Sequence, residues 1–564
     1  MSGTSVDNTK FTNFEIAKWL SEVAFKEFYN KKNLVELCEY QNSSLWWSVL
    51  SDLSLTINGK SISFSSSIIP KEVKSTYKKI FFIEPFINFI KKVLALIVYF
   101  IQPRNKENKK YKIMFFSLPK AWRAVYNLKD NKINYADVHY DSLIQELSKK
   151  KYNIEVISVS PILSLRNFYN IITTFKRAIH SNNLFLPLEM FWSMSVFRKQ
   201  NTAIVDFRKK WIKLKENLKS NSSIFRYKNK SFYDSIYYQL EHFFNSHFAS
   251  IVNNIHIMGN LFDKEKPDLI VLPNTGGWFW QSIMIAAKNS GCPVLTTQHA
   301  VIYPSNSHYY HSENSKVNTQ GPLFSPLPPK FAVYGSWTKK LLTEKFNYPS
   351  SSSVITGQSR YDVISQPEKL FDRKKFCKLH NLDSNKKIVL FATVIPISPF
   401  IESELKIFRA LKNIPELQII VKPHPRGDSK KYEQIAKKEG LNVTIIHEDS
   451  SVFEPIFASD LVITLPSTVV TEAVMMSKPV LLVEFNNQKE EIPWVESGVA
   501  LRVSEEKHAE EKIRLLLFNR NIIKKMFQSR EKFVANHLYK LDGKSTERQV
   551  ELVLRMIKNK DSNK

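Results

Sequence analysis

The sequence predicts an α/β protein in which two doubly wound domains follow one another and face a shared cleft. Short apolar segments typical of strands alternate with helical segments from Tyr111 onward, and this alternation starts again near Pro328. Between the two series lies PLFSPLPP (322–329), a proline-rich stretch typical of a stiff connector. The 564 residues also exceed the size at which one hydrophobic core stops growing, so more than one domain is expected.

The first α/β domain is predicted over residues 111–327. It opens with the strand KIMFFSLP, the helix DSLIQELSKK and the strand YNIEVISVS. Residues 160–260 are rich in aromatic and basic side chains, with apolar positions at helical spacing, and are predicted to form a helical insertion. The strand-and-helix alternation then returns with a strand at 268–272, a helix at 278–290 and a strand at 293–299.

The second α/β domain is predicted over residues 328–530, and residues 531–564 are predicted to form a helical tail. Helical segments fill most of the gaps between its strands. The predicted strands are 330–335, 352–357, 387–393, 417–425, 442–447, 460–466 and 479–485.

Residues 1–110 are predicted to be a mostly helical accessory region. Its longest apolar run, VLALIVYFI (93–101), is too short to cross a bilayer. Basic residues crowd both sides of segment 80–101, a pattern typical of a helix that lies in the membrane interface. The alternative for this segment is a buried helix that joins two domains.

Composition indicates an anionic partner and a reducing compartment. Lys and Arg number 81 against 53 Asp and Glu, which gives a net charge of +28. The basic residues are dispersed and no nucleic-acid module is present, so nucleic acid is disfavoured. The three cysteines, Cys38, Cys292 and Cys377, form no CxxC pair, and MSGTSVDNTK lacks a secretory signal. We expect a cytoplasmic protein, with peripheral contact at the anionic inner face of the cell membrane.

The segment KPHPR is the richest in candidate site residues. It follows the strand predicted at 417–425, and ligands of open α/β sheets bind beyond the carboxyl ends of strands, so Lys422, His424 and Arg426 are expected in that crevice. Prolines on both sides of His424 restrict its backbone. The alternative is a rigid loop with exposed charges.

A second candidate segment is DLVITLPSTVVTEAVMMSKPVLLVEF (460–485). Ser467 or Thr468 is expected to cap the helix after the strand, where exposed N–H groups suit a phosphate. Glu472, about one turn further on, is suited to accept hydrogen bonds from ribose hydroxyls. An ordinary capped helix is the alternative.

Two further segments end strands at the same expected crevice. His299 in TTQHA would face the anion site, where a neutral imidazole takes a proton from an attacking hydroxyl. In TGQSRYD, Gly357 permits close backbone approach and Arg360 offers a bidentate grip on phosphate, with Asp362 expected to hold Arg360.

With these motifs the chain resembles GT-B glycosyltransferases of surface-polysaccharide biosynthesis, in the branch shared with CDP-glycerol glycerophosphotransferases and UDP-N-acetylglucosamine 2-epimerases. The resemblance covers about residues 265–550 and implies two Rossmann-like domains. It implies that His299 is the catalytic base and that His424 faces the donor phosphate. It also implies that Ser467 and Thr468 meet the nucleotide phosphates and that Glu472 meets the ribose.

The sequence departs from two patterns within this branch. Ala300 follows His299 where the glycerophosphotransferases usually carry glycine, and Thr468-Val469 stand where the epimerases usually carry two glycines. Glycosyl transfer therefore stays ahead of the other two activities.

We therefore expect a glycosyltransferase that moves a sugar from a nucleotide-activated donor to a surface-glycan or lipid-linked acceptor, with inversion and without a metal or cofactor. The alternatives are a CDP-glycerol-type glycerophosphotransferase, an epimerase-like enzyme and a non-catalytic protein that binds carbohydrate or nucleic acid. Zinc hydrolysis is disfavoured because His308 and His311 form no HExxH motif.

Overall fold

The protein is described here by a computed structural model. The residues that it describes are 11–57, 76–102, 109–127, 132–162, 168–181, 183–313, 326–394, 398–425, 427–448, 450–485 and 491–562.

The first sheet has seven strands, and every neighbouring pair runs parallel. In spatial order the strands are Ser353–Ile355, Lys330–Val333, Val294–Thr297, Leu269–Leu272, Tyr111–Phe116, Ile154–Ser160 and Leu184–Pro187. An antiparallel hairpin, Trp122–Asn127 with Lys132–Asp137, lies between the first strand in chain order and the helix Asp141–Leu147.

The second sheet has six strands, again all parallel. Its spatial order is Val443–Ile445, Gln418–Lys422, Ile388–Ala392, Leu461–Thr464, Val480–Val483 and Leu501–Val503.

Helices surround both sheets, which explains why the central strands are apolar along their whole length. Leu269–Leu272 (LIVL) and Ile388–Ala392 (IVLFA) are buried at every residue, as expected of a parallel sheet covered on both faces. The predicted fold class, two parallel α/β sheets with a helical N-terminal region, is confirmed.

The sequence predicts that the second domain starts near residue 328, but the next two strands still pair with the first sheet. The strands Lys330–Val333 and Ser353–Ile355, predicted as the start of the second series, extend the first sheet. Both series alternate strand and helix in the same way, so the sequence pattern cannot show which sheet a strand joins. Hydrogen bonding to Val294–Thr297 decides this, and the chain first enters the second sheet at Ile388–Ala392.

The first helix between residues 336 and 537 connects two strands of the first sheet, and the later ones surround the second sheet. In chain order these helices are Ser336–Glu344, Arg373–Leu379, Ser398–Lys412, Ser429–Glu439, Phe453–Ala458, Thr468–Met475, Ala509–Phe518 and Arg520–His537.

The last helix, Ser545–Ser562, returns to the first sheet. Its Val550, Val553 and Ile557 are buried in one cluster with Ile113 of the first-sheet strand Tyr111–Phe116. Over its described residues, the predicted tail 531–564 contains the end of the helix Arg520–His537 and the helix Ser545–Ser562, and the second of these completes the core of the first domain.

The N-terminal region and residues 160–260 share one apolar core. Within it the longer helices are Asn13–Val23, Trp46–Ile57, Thr76–Phe100, Met194–Ser220, Tyr233–His242 and Phe248–Glu265. The helix Phe168–His180 packs instead in a separate small cluster, where its Ala178 meets Val98 and Phe185. Residues 160–260 are mostly helical as predicted, but they also supply the edge strand Leu184–Pro187 of the first sheet.

Over residues 84–100, whose side chains the structure describes, the helix Thr76–Phe100 is buried on one side only. Ala95 and Val98 are fully buried, whereas Phe86, Phe89 and Phe100 are 63%, 55% and 67% exposed. The alternative of a wholly buried joining helix is therefore wrong. In the described part of the chain, no helix is both long enough and apolar enough to span a membrane.

Candidate active site

A cleft lies where the carboxyl ends of strands from the two sheets face each other. Its first-domain wall includes Arg123, His139 and Ser142. Its opposite wall holds most of the residues predicted from the sequence motifs: Arg360, Lys422, His424, Thr468 and Glu472. Segments separated by more than 100 residues thus meet in one place, as the crevice rule predicts.

His424 lines the cleft directly after the strand Gln418–Lys422. Its backbone N–H donates to Thr393 Oγ1 over 3.0 Å, and its carbonyl accepts from Gly427 N–H over 2.6 Å. These bonds and the two flanking prolines fix the backbone, so the half-buried imidazole has a defined place in the cleft wall.

Lys422 also lines the cleft, but its ammonium group is occupied. Nζ donates to the carbonyls of Pro423 and Glu448, over 2.9 and 2.8 Å, and the residue is only 4% exposed. Lys422 thus fastens the KPHP turn to the loop after the neighbouring strand. Arg426, the other cation predicted here, lies outside the described residues.

Ser467 and Thr468 begin the helix Thr468–Met475. Ser467 occupies the predicted N-cap position, but its hydroxyl lies 3.3 Å from Thr464 Oγ1 and accepts no helix N–H. Thr468 lines the cleft, and Ser467 is not among the cleft-lining residues. The side-chain cap predicted for this helix is therefore absent at Ser467.

Glu472 and Arg360 form an ion pair in the cleft wall. Arg360 Nη2 donates to Glu472 Oε1 over 2.5 Å, and the Glu472 side chain is 1% exposed. Burial raises the pKa of Glu472, and the charge of Arg360 opposes this. Burial lowers the pKa of Arg360, but the nearby charge of Glu472 outweighs burial, together with smaller contributions from Tyr361 and Tyr334. The pKa of Arg360 is therefore raised above its usual value.

Asp362 does not hold Arg360, so that prediction is wrong. Its carboxylate accepts hydrogen bonds from the N–H groups of Ser545 and Thr546 at 2.9 and 2.7 Å. Asp362 therefore caps the helix that returns to the first sheet, and Glu472 holds Arg360 instead.

Gly357 likewise faces the returning helix. Its φ is +75°, and a Cβ atom on it would lie 2.5 Å from Ser545 Oγ. Its carbonyl accepts from Gln549 Nε2 over 3.2 Å. A close backbone approach that needs a glycine is therefore made to this helix, and Gly357 is not among the cleft-lining residues.

His299 follows the strand Val294–Thr297 and is oriented by a backbone carbonyl. Its Nδ1 lies 2.5 Å from Pro273 O, so Nδ1–H donates and the neutral ring keeps a lone pair on Nε2. Burial lowers the pKa of His299, the Pro273 bond opposes this, and the charge of Arg360 lowers it further. A neutral imidazole of this kind is suited to accept a proton.

The sequence predictions missed His139 and Arg123, which line the cleft beside these residues. The His139 ring contacts the His299 ring edge-on, with centroids 5.1 Å apart and an interplanar angle of 76°. His139 follows the hairpin strand Lys132–Asp137, and Arg123 lies on Trp122–Asn127. The available signal was positional, because both residues lie between the first strand and its crossover helix.

Among the described residues, no group of three or more His, Cys, Asp or Glu side chains is placed to hold a metal ion.

A comparison with protein families places part of the chain in a known family. Residues 329–555 match the family of CDP-glycerol:poly(glycerophosphate) glycerophosphotransferases. The match spans the KPHP turn, the Arg360 segment and the Glu472 helix. It confirms the resemblance inferred from the motifs. No curated protein matches the chain.

Solved structures with similar folds include epimerases and a polymerase. The UDP-GlcNAc 2-epimerase from Neisseria meningitidis bound to UDP-GlcNAc is 16% identical, with 79% of the present chain and 99% of the epimerase covered and a TM-score of 0.48. MnaA of S. aureus with UDP is 15% identical. The match covers 79% of the present chain and 97% of MnaA, with a TM-score of 0.46. A variant of the wall teichoic acid polymerase TagF with CDPG is 12% identical. The match covers 87% of the present chain and 99% of the polymerase, with a TM-score of 0.44.

Proposed function

We propose that this chain, whose residues 329–555 match the glycerophosphotransferase family, is a GT-B transferase that moves a nucleotide-activated group to an acceptor hydroxyl in the cleft. The observation that carries this proposal is the pairing of two unlike walls. One wall presents His139, and the His299 ring packs edge-on against it without being among the cleft-lining residues. The other wall presents His424, Thr468 and the Arg360–Glu472 pair.

His299 is the proposed catalytic base. Its Nε2 takes the proton of the acceptor hydroxyl as the oxygen attacks, and its Nδ1–H stays bonded to Pro273 O. The donor binds on the second-domain wall, where His424, Arg360 and Thr468 face its phosphates and Glu472 faces the ribose. Lys422 supports that wall by holding the KPHP turn.

A CDP-alcohol is the donor that the family match favours. The acceptor oxygen would then attack phosphorus, a new P–O bond would form, and the bond from phosphorus to the oxygen of CMP would break. The proton ends on His299, and the negative charge ends on CMP. Cationic and N–H groups at the donor wall stabilise that charge as it develops.

A nucleotide sugar is the second candidate, and the motif pattern of the GT-B branch favours it. Here the acceptor oxygen would attack the anomeric carbon from the face opposite the nucleotide. The bond from that carbon to the diphosphate would break, with inversion, and a nucleoside diphosphate would leave. The same base and the same donor wall serve this reaction without a metal or another cofactor.

The leaving nucleotide tells the two candidates apart. We would screen CDP-glycerol, CDP-ribitol and a panel of UDP- and GDP-sugars by thermal shift, since a ligand at a hundred times its dissociation constant adds about 2.7 kcal/mol to stability. Turnover of each donor that binds would then be followed by chromatography of the nucleotide. Acceptor-dependent release of CMP would support the first candidate, and release of a nucleoside diphosphate would support the second. If no nucleotide binds, the proposal is wrong.

The proposed place of action is the cytoplasmic face of an anionic membrane, where a surface-glycan or lipid-linked acceptor is presented. The exposed face of the helix Thr76–Phe100 supports this, since three phenylalanines there are more than half exposed. The neighbouring helix Phe168–His180 adds exposed Ile172 and Ile179. A net charge of +28 complements anionic lipid.

Vesicle binding tests this location. Serine at Phe86, Phe89 and Phe100 should release the protein from phosphatidylglycerol vesicles, because each exposed ring would otherwise enter the headgroup region. Serine at Leu379 and Phe518, which are 73% and 51% exposed on the second domain, is the matched control and should leave binding unchanged. Failure of the unaltered protein to sediment with these vesicles at low salt would refute the proposed location.

A further inference from the structure

His139 is a cleft-lining residue to which the proposed reaction gives no role so far. It lies on the first-domain wall, and its ring meets edge to face that of His299, which is not itself a cleft-lining residue. In the part of the chain that the structure describes, its Nδ1 is buried and has no hydrogen-bond partner. A buried imidazole nitrogen without a hydrogen-bond partner loses its hydration free energy, so a bound ligand that supplies the missing hydrogen bond would be stabilising.

A buried ion pair holds His139 in this position. Asp137 is 3% exposed, and its Oδ1 accepts the backbone N–H of His139 over 2.9 Å. Its other carboxylate oxygen lies 4.0 Å from Nη2 of Arg177, a residue only 1% exposed. The guanidinium group of Arg177 therefore pairs with the Asp137 carboxylate, and the His139 side chain lines the cleft.

Arg177 also fixes the base of the hairpin that carries this wall. Its guanidinium group lies between the rings of Trp122 and Phe185, 4.4 and 4.5 Å from their centroids, and Nη2 donates to Ser117 Oγ over 3.0 Å. Trp122 pairs with Asp137 across the hairpin. One buried side chain thus supports the strand that carries Arg123 and the strand that precedes His139.

The charges around His139 keep its ring neutral. Burial lowers its pKa well below the usual value, and the nearby His299, Arg123 and Arg360 lower it further. A neutral imidazole has one N–H donor and one nitrogen acceptor, which matches a hydroxyl group that both accepts and donates.

We propose that His139 binds the acceptor through a second hydroxyl, next to the hydroxyl that His299 deprotonates, and that the Asp137–Arg177 pair positions it for this. The acceptor class is therefore a polyhydroxylated alcohol and not a simple alcohol. This inference rests on the proposed transferase function and deepens it, because it assigns acceptor recognition to the wall opposite the donor.

The test compares two small acceptors, glycerol and 1-propanol, with the donor identified by the nucleotide screen. Both have a primary hydroxyl, and only glycerol offers a neighbouring one. The unaltered protein should use glycerol with a higher kcat/KM than 1-propanol. His139→Phe keeps a ring against His299 and removes both nitrogens, so it should lower kcat/KM for glycerol roughly 5- to 150-fold and leave 1-propanol unchanged.

Controls separate this effect from general damage. His380→Gln removes a half-buried imidazole that is not among the cleft-lining residues and should change kcat/KM for neither acceptor. Nucleotide affinity should stay unchanged in His139→Phe, because the donor contacts lie across the cleft. Asp137→Asn keeps an oxygen that can accept the His139 N–H but loses the charge that faces Arg177, so it should give a smaller loss of the glycerol preference.

The outcomes are distinct. If no donor turns over in the unaltered protein, the transferase proposal and this inference both fail. If donors turn over and His139→Phe keeps the glycerol preference, the ring only packs against His299 and this inference alone fails. If His139→Phe does not fold, an unchanged preference in a folded Asp137→Asn protein overturns the inference.

Discussion

The two walls of the cleft are built in different ways. The second-domain wall comes from segments that directly follow strands, and its charged groups already have protein partners: Lys422 bonds to two carbonyls, and Glu472 pairs with Arg360. The first-domain wall comes partly from a hairpin and presents His139, against which the His299 ring packs. The difference indicates a division of labour, in which one wall holds an anionic donor and the other handles a proton and an acceptor.

The largest expected effect comes from removing the base on the first wall. His299→Ala should lower turnover by roughly 10²- to 10⁴-fold, since a positioned general base typically contributes that much. Donor affinity should stay nearly constant because the donor contacts are on the second wall. Steady-state kinetics and nucleotide calorimetry on the same preparation measure both quantities. An equal loss of nucleotide affinity would contradict the division between the walls.

The next largest effect is on the second wall. Glu472→Ala removes a buried hydrogen-bond partner, so donor affinity should fall roughly 5- to 150-fold, which corresponds to about 1–3 kcal/mol. Calorimetric titration with the identified nucleotide measures this. His424→Ala should weaken donor binding and reduce turnover together. A folded Glu472→Ala protein with unchanged affinity would remove Glu472 from the donor site.

The pH profile should reflect the first wall. Burial lowers the pKa of His299, so the base stays neutral below pH 6.5, and kcat/KM should fall only once the pH drops through that lowered pKa. Below it, activity should fall about tenfold per pH unit. Rate measurements between pH 4.5 and 8 test this, and an acid limb centred well above pH 6.5 would refute the assignment.

The smallest expected effect on chemistry comes from Gly357. Gly357→Ala places a Cβ against Ser545 at a φ of +75°, so it should reduce the free energy of unfolding by about 1–3 kcal/mol. Donor affinity per folded molecule should not change. Thermal melts and nucleotide titration of this variant separate the helix contact from a ligand contact, and a selective loss of donor affinity would restore the ligand interpretation.

The second wall could be predicted from sequence because its residues follow strands in contiguous motifs. KPHP and the Glu472 helix needed only the rule that ligands bind at the carboxyl ends of strands. The first wall was harder to predict, since His139 and Arg123 follow no motif and reach the cleft only through the hairpin and its Arg177 support.

Errors of the sequence analysis share one physical origin. Strand membership at Lys330–Val333, the cap made by Asp362 and the contact of Gly357 all depend on which distant segment packs nearby. The helix Ser545–Ser562 is the partner in two of these three cases. Local spacing can locate a strand, a turn or a glycine, but it carries no information about a partner nearly 200 residues away.

Acceptor-dependent release of nucleotide is the most direct test of a transferase cleft with two specialised walls. The purified protein would be incubated with its identified donor, with and without a hydroxyl acceptor, and the nucleotide product would be separated and quantified. We predict that a nucleoside monophosphate or diphosphate appears only when the acceptor is present, and that His299→Ala abolishes most of it. Conversion of a nucleotide sugar to its epimer without any acceptor would contradict this account.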